Sequence, residues 1–202
     1  IGGLILVFIL LMIFLRPLLA LWVCAGIAVA FLGTFFVLPF TGISLNMVSM
    51  MAFLLILGIV VDDAIIVGES VHAHQAAGET GAKGAVMGTR AVMKPVMYAV
   101  ISTMIFVAPM LFLPGEMASA SIPLPVVVII ALTFSLIECL WILPAHLAHM
   151  RPMRPSRFAV LRQLEEYRQT VARQMVRCAR ELYRPFLARC LPATAVVAAL
   201  FF

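Results

Sequence analysis

Composition and charge place this chain in a membrane rather than in water. Of its 202 residues, 64% are hydrophobic and only 11% are charged, whereas soluble domains carry about 25% charged residues. The formal net charge of +5 therefore indicates membrane orientation and attraction to anionic lipids. Nucleic acid is not expected as a partner, because its binding would require aromatic side chains among the basic ones on a folded surface.

The predicted elements follow one another as apolar runs. A helix that crosses a membrane needs about 20 mostly apolar residues. Four complete runs have this length, at residues 17–38, 46–71, 92–113 and 122–144. Partial runs at 1–15 and 190–202 flank them, so the chain is interpreted as a fragment. Residues 1–15 have no basic region and no small-residue cleavage site, which favours a truncated span over a secretory signal.

Basic residues divide the connections between these runs into two classes. Arg16 follows the first run, Lys83, Arg90 and Lys94 follow the third, and the remaining arginines lie at 151–189, after the fifth. The other two connections, "LPFTGISLN" and "LPGEMASASIP", contain no Lys or Arg. By the positive-inside rule, the basic connections are cytoplasmic and the other two are external. The first, third and fifth runs are therefore predicted to cross from outside to inside.

A cytoplasmic segment is predicted between the fifth and sixth runs. After the proline-broken stretch "MRPMRPSR", apolar residues recur at helical spacing on one stripe. They are Val160, Leu164, Tyr167, Val171, Met175, Cys178, Leu182 and Phe186. Such a helix would lie in the membrane interface, in contact with lipids, and the alternative is a soluble linker helix. The predicted domains are a bundle at 1–150, a linker and interfacial helix at 151–183, and the start of another span at 184–202.

The cysteines give no sign of a special site. Cys24, Cys139, Cys178 and Cys190 show no C-x-x-C spacing, and the first two lie within predicted spans. We expect small core residues, with neither a disulfide nor a metal site implied.

Two adjacent carboxylates, Asp62 and Asp63, lie in "GIVVDDAIIVGES", inside the third run. On an insertion scale each aspartate at the centre of a membrane helix costs about 2.5–3.5 kcal/mol, so a pair requires a reason. Consecutive helical residues point about 100° apart, and both side chains can face the bundle interior if the helix is central. Gly58, Ala64 and Gly68 would let neighbouring helices come close.

The aspartate pair has the chemistry of a proton-binding site. Burial and a neighbouring carboxylate both penalise the charged form of a carboxyl group, whereas a fixed cation favours it. A balance of these effects is what a transporter driven by a proton gradient requires. The alternative is a static ion pair with a buried base, and no Lys or Arg of this chain lies at the centre of a span.

Three polar residues follow the pair towards the predicted cytoplasmic boundary. Glu69 lies about two turns after Asp62, and His72 and His74 come next. One interpretation is that they extend a proton path. The favoured interpretation is that they are interfacial residues that reach water. A metal site at the two histidines is not expected, because residues two apart point to different faces of a helix.

The remaining polar residues of the spans have simpler interpretations. Glu138 has either a partner in the interior or a side chain that snorkels to the nearby interface. His146 and His149 are expected to be solvated at the membrane edge. Asn46 and Ser49 are expected to cap the third run and to contact other helices.

These residues carry a family resemblance. The stretch "FTGISLNMVSMMAFLLILGIVVDDAIIVGES" resembles the fourth transmembrane helix of the resistance-nodulation-division (RND) efflux transporters of the hydrophobe/amphiphile type, and its G-x-x-x-D-D-A-I core is their most specific signature. "LRPLLA", "FVAPMLFLPG" and "LPAHL" resemble other helix junctions of the family. The resemblance implies an all-α polytopic membrane bundle, comprising helices two to six and the start of the seventh, with a cytoplasmic interfacial helix.

The resemblance also implies a function. These are proton-driven drug antiporters of the Gram-negative inner membrane, not enzymes, with protons as the coupling ion and no cofactor or metal. Asp62 and Asp63 match the proton-relay pair, which in the family works with a lysine on the tenth helix. The family further implies a homotrimer, a periplasmic adaptor, an outer-membrane channel and amphiphilic small-molecule substrates.

Two features bear on the subfamily. Heavy-metal relatives usually carry D-A-A, so the second aspartate, Asp63, favours organic substrates. Gly68 and Ser70 depart from the family's usual valine and asparagine, which weakens any subfamily assignment. The alternatives are an RND relative that exports lipids, proteins or metal ions, and a membrane scaffold that transports nothing.

Overall fold

The computed structural model describes residues 9, 11–12, 17–115, 121–149, 174 and 177–190, and this part of the chain consists of helices and the turns between them. The chain divides into two compact units, Ile1–Pro152 and Met153–Phe202. Each unit is described by itself.

The first unit is a bundle of four apolar helices long enough to cross a membrane, which confirms the four complete runs and the all-α polytopic fold. These segments are Pro17–Thr41, Met47–Ala76, Gly81–Phe112 and Pro123–Ala148. Within them, α1 is Pro17–Val37, α2 is Met47–Ala76, α3 is Gly81–Val107, α4 is Pro123–Ile137 and α5 is Leu143–Ala148. Short 3₁₀ turns end the first and third segments, and a π-helical turn, Glu138–Ile142, joins α4 to α5.

Helix α2 is central to the bundle, because it packs against α1, α3 and α4. Its buried apolar positions recur at three and four residues along one side, for example Ala52, Ile56 and Val60. Large apolar residues such as Met51 and Leu54 are exposed on its other side. A helix that is apolar all round suits a surrounding of protein on one side and lipid on the other.

The start of α2 carries the predicted cap. The Ser49 backbone N–H donates to Asn46 Oδ1 at 2.9 Å, and the Asn46 backbone N–H donates to Ser49 Oγ at 2.8 Å. This reciprocal capping box satisfies two backbone donors that a helix start leaves without partners. The predicted capping role of both residues is confirmed.

Helix α3 begins well before the predicted run at 92–113. It starts at Gly81, after a tight turn in which Gly78 and Gly81 both have positive φ, 105° and 67°. The early turns contain two small buried residues, Gly84 and Ala85. A Cβ atom added at Gly84 would lie 2.9 Å from Gln75 Cγ near the end of α2. Because charged residues lie beside them, these turns do not form part of an apolar run in the sequence.

The second unit is described over a short length. A π-helical turn, Ala179–Tyr183, leads into helix α6, Arg184–Cys190, and the described side chains at 177–188 are exposed. Most of the predicted interfacial helix, and nearly all of the partial runs at 1–15 and 190–202, lie outside the described residues. The interfacial and cytoplasmic placement of 151–183 stays a prediction.

Candidate functional site

The aspartate pair lies on the central helix, and the structure separates its two members. Asp63 is buried, with 6% of its surface exposed, among the buried side chains of Val60, Ala64 and Val67 on the same helix. Asp62 is exposed, because the turn of about 100° per residue directs it away from this stripe. The expectation that both carboxyl groups face the interior therefore holds within this chain for Asp63 alone.

The buried carboxyl group is incompletely satisfied. Asp63 Oδ2 has no hydrogen-bond partner among the described residues, and neither Asp62 nor Asp63 makes an ion pair within that part of the chain. A buried polar atom without a partner costs about 1–3 kcal/mol. Asp63 is therefore placed to take up a proton or to meet a donor from outside the described residues.

A second carboxyl group lies nearby on the π-helical turn. Glu138 is only 3% exposed, so its side chain is directed into the bundle and does not snorkel to the interface. The Cys139 thiol donates to Glu138 Oε2 at 3.5 Å. Helix α2, which carries Asp63, packs against the π-helical turn that carries Glu138 and Cys139.

The π-helical turn gives Glu138 its position. The Leu143 backbone N–H donates to the Glu138 carbonyl, five residues earlier, which is the hydrogen bond of a π turn. A pattern in the sequence does indicate that this side of the helix is buried. Ala131, Ser135 and Cys139 recur at steps of four beside Glu138, and all three are buried.

Small residues allow the close packing around α2, as expected, although not at every predicted position. A Cβ atom added at Gly68 would lie 2.8 Å from Leu19 Cδ1 of α1, and Ala64 is buried. Gly58 is exposed, and a Cβ added there would meet no described residue within 4 Å. The close-contact prediction is correct for Gly68 and Ala64 and wrong for Gly58 within this chain.

The C-terminal end of α2 is held by hydrogen bonds to its neighbours. The Ser70 hydroxyl donates to the Gly88 carbonyl of α3 at 2.7 Å, and Gln75 Nε2 donates to the Leu147 carbonyl of α5 at 3.0 Å. His74 Nδ1 lies 2.9 Å from the Ser70 carbonyl oxygen of its own helix. Glu69 is exposed and His72 is partly buried, so a role of these residues in a proton path stays a prediction.

The histidines and cysteines near the other helix ends also have defined surroundings. His146 and His149 are exposed, as predicted, and the His146 ring stacks on Trp22 of α1 with a centroid distance of 3.9 Å. Cys24 and Cys139 are buried core residues, whereas Cys178 is exposed. Within the described residues, no cluster of three or more His, Cys, Asp or Glu side chains could hold a metal ion.

The described basic side chains of the first unit lie at its surface. Lys83, Arg90 and Lys94 of α3 are exposed, and Lys83 Nζ is 3.7 Å from Glu79 Oε1. Within the described residues, the buried acids therefore have no cation of this unit beside them.

Comparison with known proteins identifies the family. The family model described as the AcrB/AcrD/AcrF family matches residues 1–202. The chain belongs to this family. The resemblance to the RND efflux transporters is thereby confirmed, and the family is one of transporters rather than enzymes. Together with its four apolar helices, this makes the chain a multi-pass membrane protein.

Curated relatives carry the name multidrug resistance protein MdtC. One from Enterobacter sp. (strain 638) is 31% identical over 149 residues, which is 70% of this chain and 14% of the relative. Those from Yersinia pseudotuberculosis serotype O:1b (strain IP 31758) and Yersinia pestis bv. Antiqua (strain Angola) are each 34% identical over 129 residues, 60% of this chain and 13% of the relative. The chain thus spans a small part of the length of the curated relatives it matches.

Proposed function

We propose that this chain works within a proton-driven multidrug efflux pump, and that Asp62 and Asp63 bind and release the coupling protons. The observation that carries the proposal is the state of Asp63: a carboxyl group on the central helix, 6% exposed, with one oxygen that lacks a hydrogen-bond partner among the described residues. Membership of a transporter family supports a role in transport rather than in structure alone.

The two aspartates would have different tasks. Asp63 is enclosed by this chain, so a proton bound there is shielded from water. Asp62 is exposed on the surface of the bundle, where a cation from another part of the protein can reach it. Binding that cation would stabilise the charged form of the pair, and protonation would release it. The family resemblance names a lysine of the tenth helix for this role.

Helix α2 can transmit the change of charge. It packs against α1, α3 and α4, so a displacement of α2 requires its neighbours to adjust. Loss of the attraction between Asp62 and an external cation removes one contact that holds α2 in place. Alternate protonation would then favour two arrangements of the bundle, as a transporter with alternating access requires.

The rest of the proposal concerns the whole protein. We infer a location in the bacterial inner membrane with surrounding lipids as partners, assembly as a homotrimer, and contact with a periplasmic adaptor and an outer-membrane channel. The substrates would be amphiphilic small molecules, in line with the names of the MdtC relatives. Protons are the coupling ion, and no other cofactor is proposed.

The test is neutralisation of each aspartate in the full-length protein. Asp62→Asn and Asp63→Asn are nearly isosteric, and we expect both to remain in the membrane at wild-type levels but to lose gradient-driven efflux of a fluorescent amphiphile. Glu79→Gln is the matched control, because among the described residues its carboxylate makes a surface ion pair with Lys83, and such pairs contribute little. Wild-type efflux by both well-expressed aspartate variants would overturn the proposal.

A further inference from the structure

Glu138 is a buried acid that the aspartate pair leaves unexplained. It is less exposed than Asp63, 3% against 6%, although it lies in an apolar segment that contains no other charged residue. An ionised side chain at such a place is costly to retain. The position therefore requires a chemical role or an exact fit, and the structure supplies evidence for both.

The fit is made by a glycine on another helix. Gly26 of α1 is buried, and a Cβ atom added to it would overlap the Glu138 carboxyl group, including both carboxyl oxygens. The carboxyl group therefore rests directly against the α1 backbone. Any larger residue at position 26 would displace it.

The polar surroundings of the carboxyl group are sparse. Its one hydrogen bond among the described residues is from the Cys139 thiol, which is a weak donor. Helix α1 contributes Gly26, and α2, which carries the buried Asp63, packs against the π-helical turn.

Helix α3 brings no cation to this place. Its basic side chains, Lys83, Arg90 and Lys94, are exposed. An ionised Glu138 would thus be a buried charge without a compensating cation in the described part of the bundle, which is strongly unfavourable. A carboxyl group that carries its proton avoids this cost and can itself donate a hydrogen bond.

We propose that Glu138 is a second intramembrane proton-binding site of the transport cycle, besides the aspartate pair. It holds a proton on its carboxyl group while it rests on Gly26, and it loses that proton to water when the π-helical turn moves away from α1. The O–H bond breaks on release and forms again on return, so no redox partner is needed. This role in transport depends on the proposed function, whereas the protonated state of Glu138 does not.

The π-helical turn provides a structural basis for this movement of Glu138. A π turn contains one residue more than the α-helical hydrogen-bonding pattern accommodates, and such turns occur frequently at functional sites. Conversion of Glu138–Ile142 to α-helical hydrogen bonding would rotate Glu138 relative to α1. Because α2, which carries Asp63, packs against this turn, a change of charge at Glu138 would also affect Asp63.

The first measurement is infrared spectroscopy of the full-length protein in lipid. A protonated carboxyl group gives a C=O stretching band separate from that of a carboxylate, and exchange into heavy water shifts it. We expect Glu138→Gln to lose one such band and Glu138→Asp to shift it. Asp63→Asn serves as the matched control, because it leaves the Glu138 band present. If the spectra of Glu138→Gln and Glu138→Asp both keep every carboxyl band of the wild type unchanged, the proposal is overturned.

The second measurement is gradient-driven efflux over a range of external pH. We expect Glu138→Gln to change the pH profile, and Glu138→Asp, which keeps a carboxyl group, to restore part of it. A lost infrared band with an unchanged pH profile would overturn the role of Glu138 in transport.

The two proposals fail in different ways. Wild-type efflux by Asp62→Asn and Asp63→Asn contradicts the proposed function, while the infrared band still decides whether Glu138 is protonated. Loss of efflux in those variants, combined with wild-type behaviour of Glu138→Gln in both measurements, contradicts the role of Glu138 alone.

Discussion

Gly88 of α3 lies directly against the backbone of Val71 in α2. A Cβ atom added at Gly88 would lie 2.7 Å from the Val71 backbone nitrogen and 2.8 Å from the Ser70 carbonyl oxygen. The hydrogen bond from the Ser70 hydroxyl to the Gly88 carbonyl joins the helices at the same point. This crossing fixes α3 against the helix that carries both aspartates, with the small-residue contact typical of membrane helices.

The first prediction concerns this contact. Gly88→Ala should destabilise the full-length protein by about 1–3 kcal/mol, because the backbone atoms that it meets cannot move aside easily. Gly58→Ala is the control: no described residue lies within 4 Å of its added Cβ, and alanine favours a helix over glycine by about 1 kcal/mol. Thermal unfolding of the purified protein in detergent should show opposite signs for the two variants. Equal effects would contradict the close crossing.

The second prediction concerns the capping box. Asn46→Ala should cost about 1 kcal/mol, because the Ser49 backbone N–H loses its acceptor. Asn46→Asp keeps an acceptor oxygen at the same place and should retain most of the stability. The same unfolding assay ranks the three proteins. An alanine variant as stable as wild type, with the aspartate variant below it, would show that Asn46 does not cap α2.

The third prediction concerns the rings of Trp22 and His146, which are stacked with an interplanar angle of 10°. A double-mutant cycle of Trp22→Leu and His146→Ala should give a coupling free energy of about 0.5–1.5 kcal/mol. The matched control is the cycle of Trp22→Leu with His149→Ala, since His149 is also exposed and has no ring contact with Trp22 among the described residues. The control cycle should be additive. Additivity in both cycles would mean that the stacking contributes nothing.

The sequence alone was sufficient for the spans and for the cap. The length of an apolar run predicts a span, because backbone groups exposed to lipid are costly however the helices pack. The capping box of Asn46 and Ser49 depends only on residues close in sequence. The aspartate pair was also identifiable, since its cost in a membrane depends only on where it lies along the span. Even so, the separate exposures of Asp62 and Asp63 were not predictable, because they depend on where the neighbouring helices lie.

Two further features depend on tertiary packing. The early start of α3 at Gly81 is stabilised by small residues against α2, a contact between segments that hydropathy does not measure. The burial of Glu138 depends on a π turn and on the missing side chain of Gly26. Because the contact with Gly26 joins two separate helices, the sequence left both an interior partner and snorkelling open for Glu138.

The last prediction concerns orientation, on which the direction of proton movement depends. The positive-inside rule places the connection before α2 outside and the turn after it inside. Ser44 and Thr80 are exposed residues of these two connections, and neither side chain makes a hydrogen bond in the described residues. The parent protein carries Cys178→Ser and Cys190→Ser. With Ser44→Cys, a membrane-impermeant maleimide should label intact cells, whereas with Thr80→Cys it should label only permeabilised ones.

The parent protein without either new cysteine, and with serine at any cysteine outside this sequence, is the control, and it should not be labelled, because Cys24 and Cys139 are buried. Labelling of both sites from one side would contradict the prediction that α2 crosses the membrane. Reversed labelling would place the end of α2 that carries Ser70 and His74 outside.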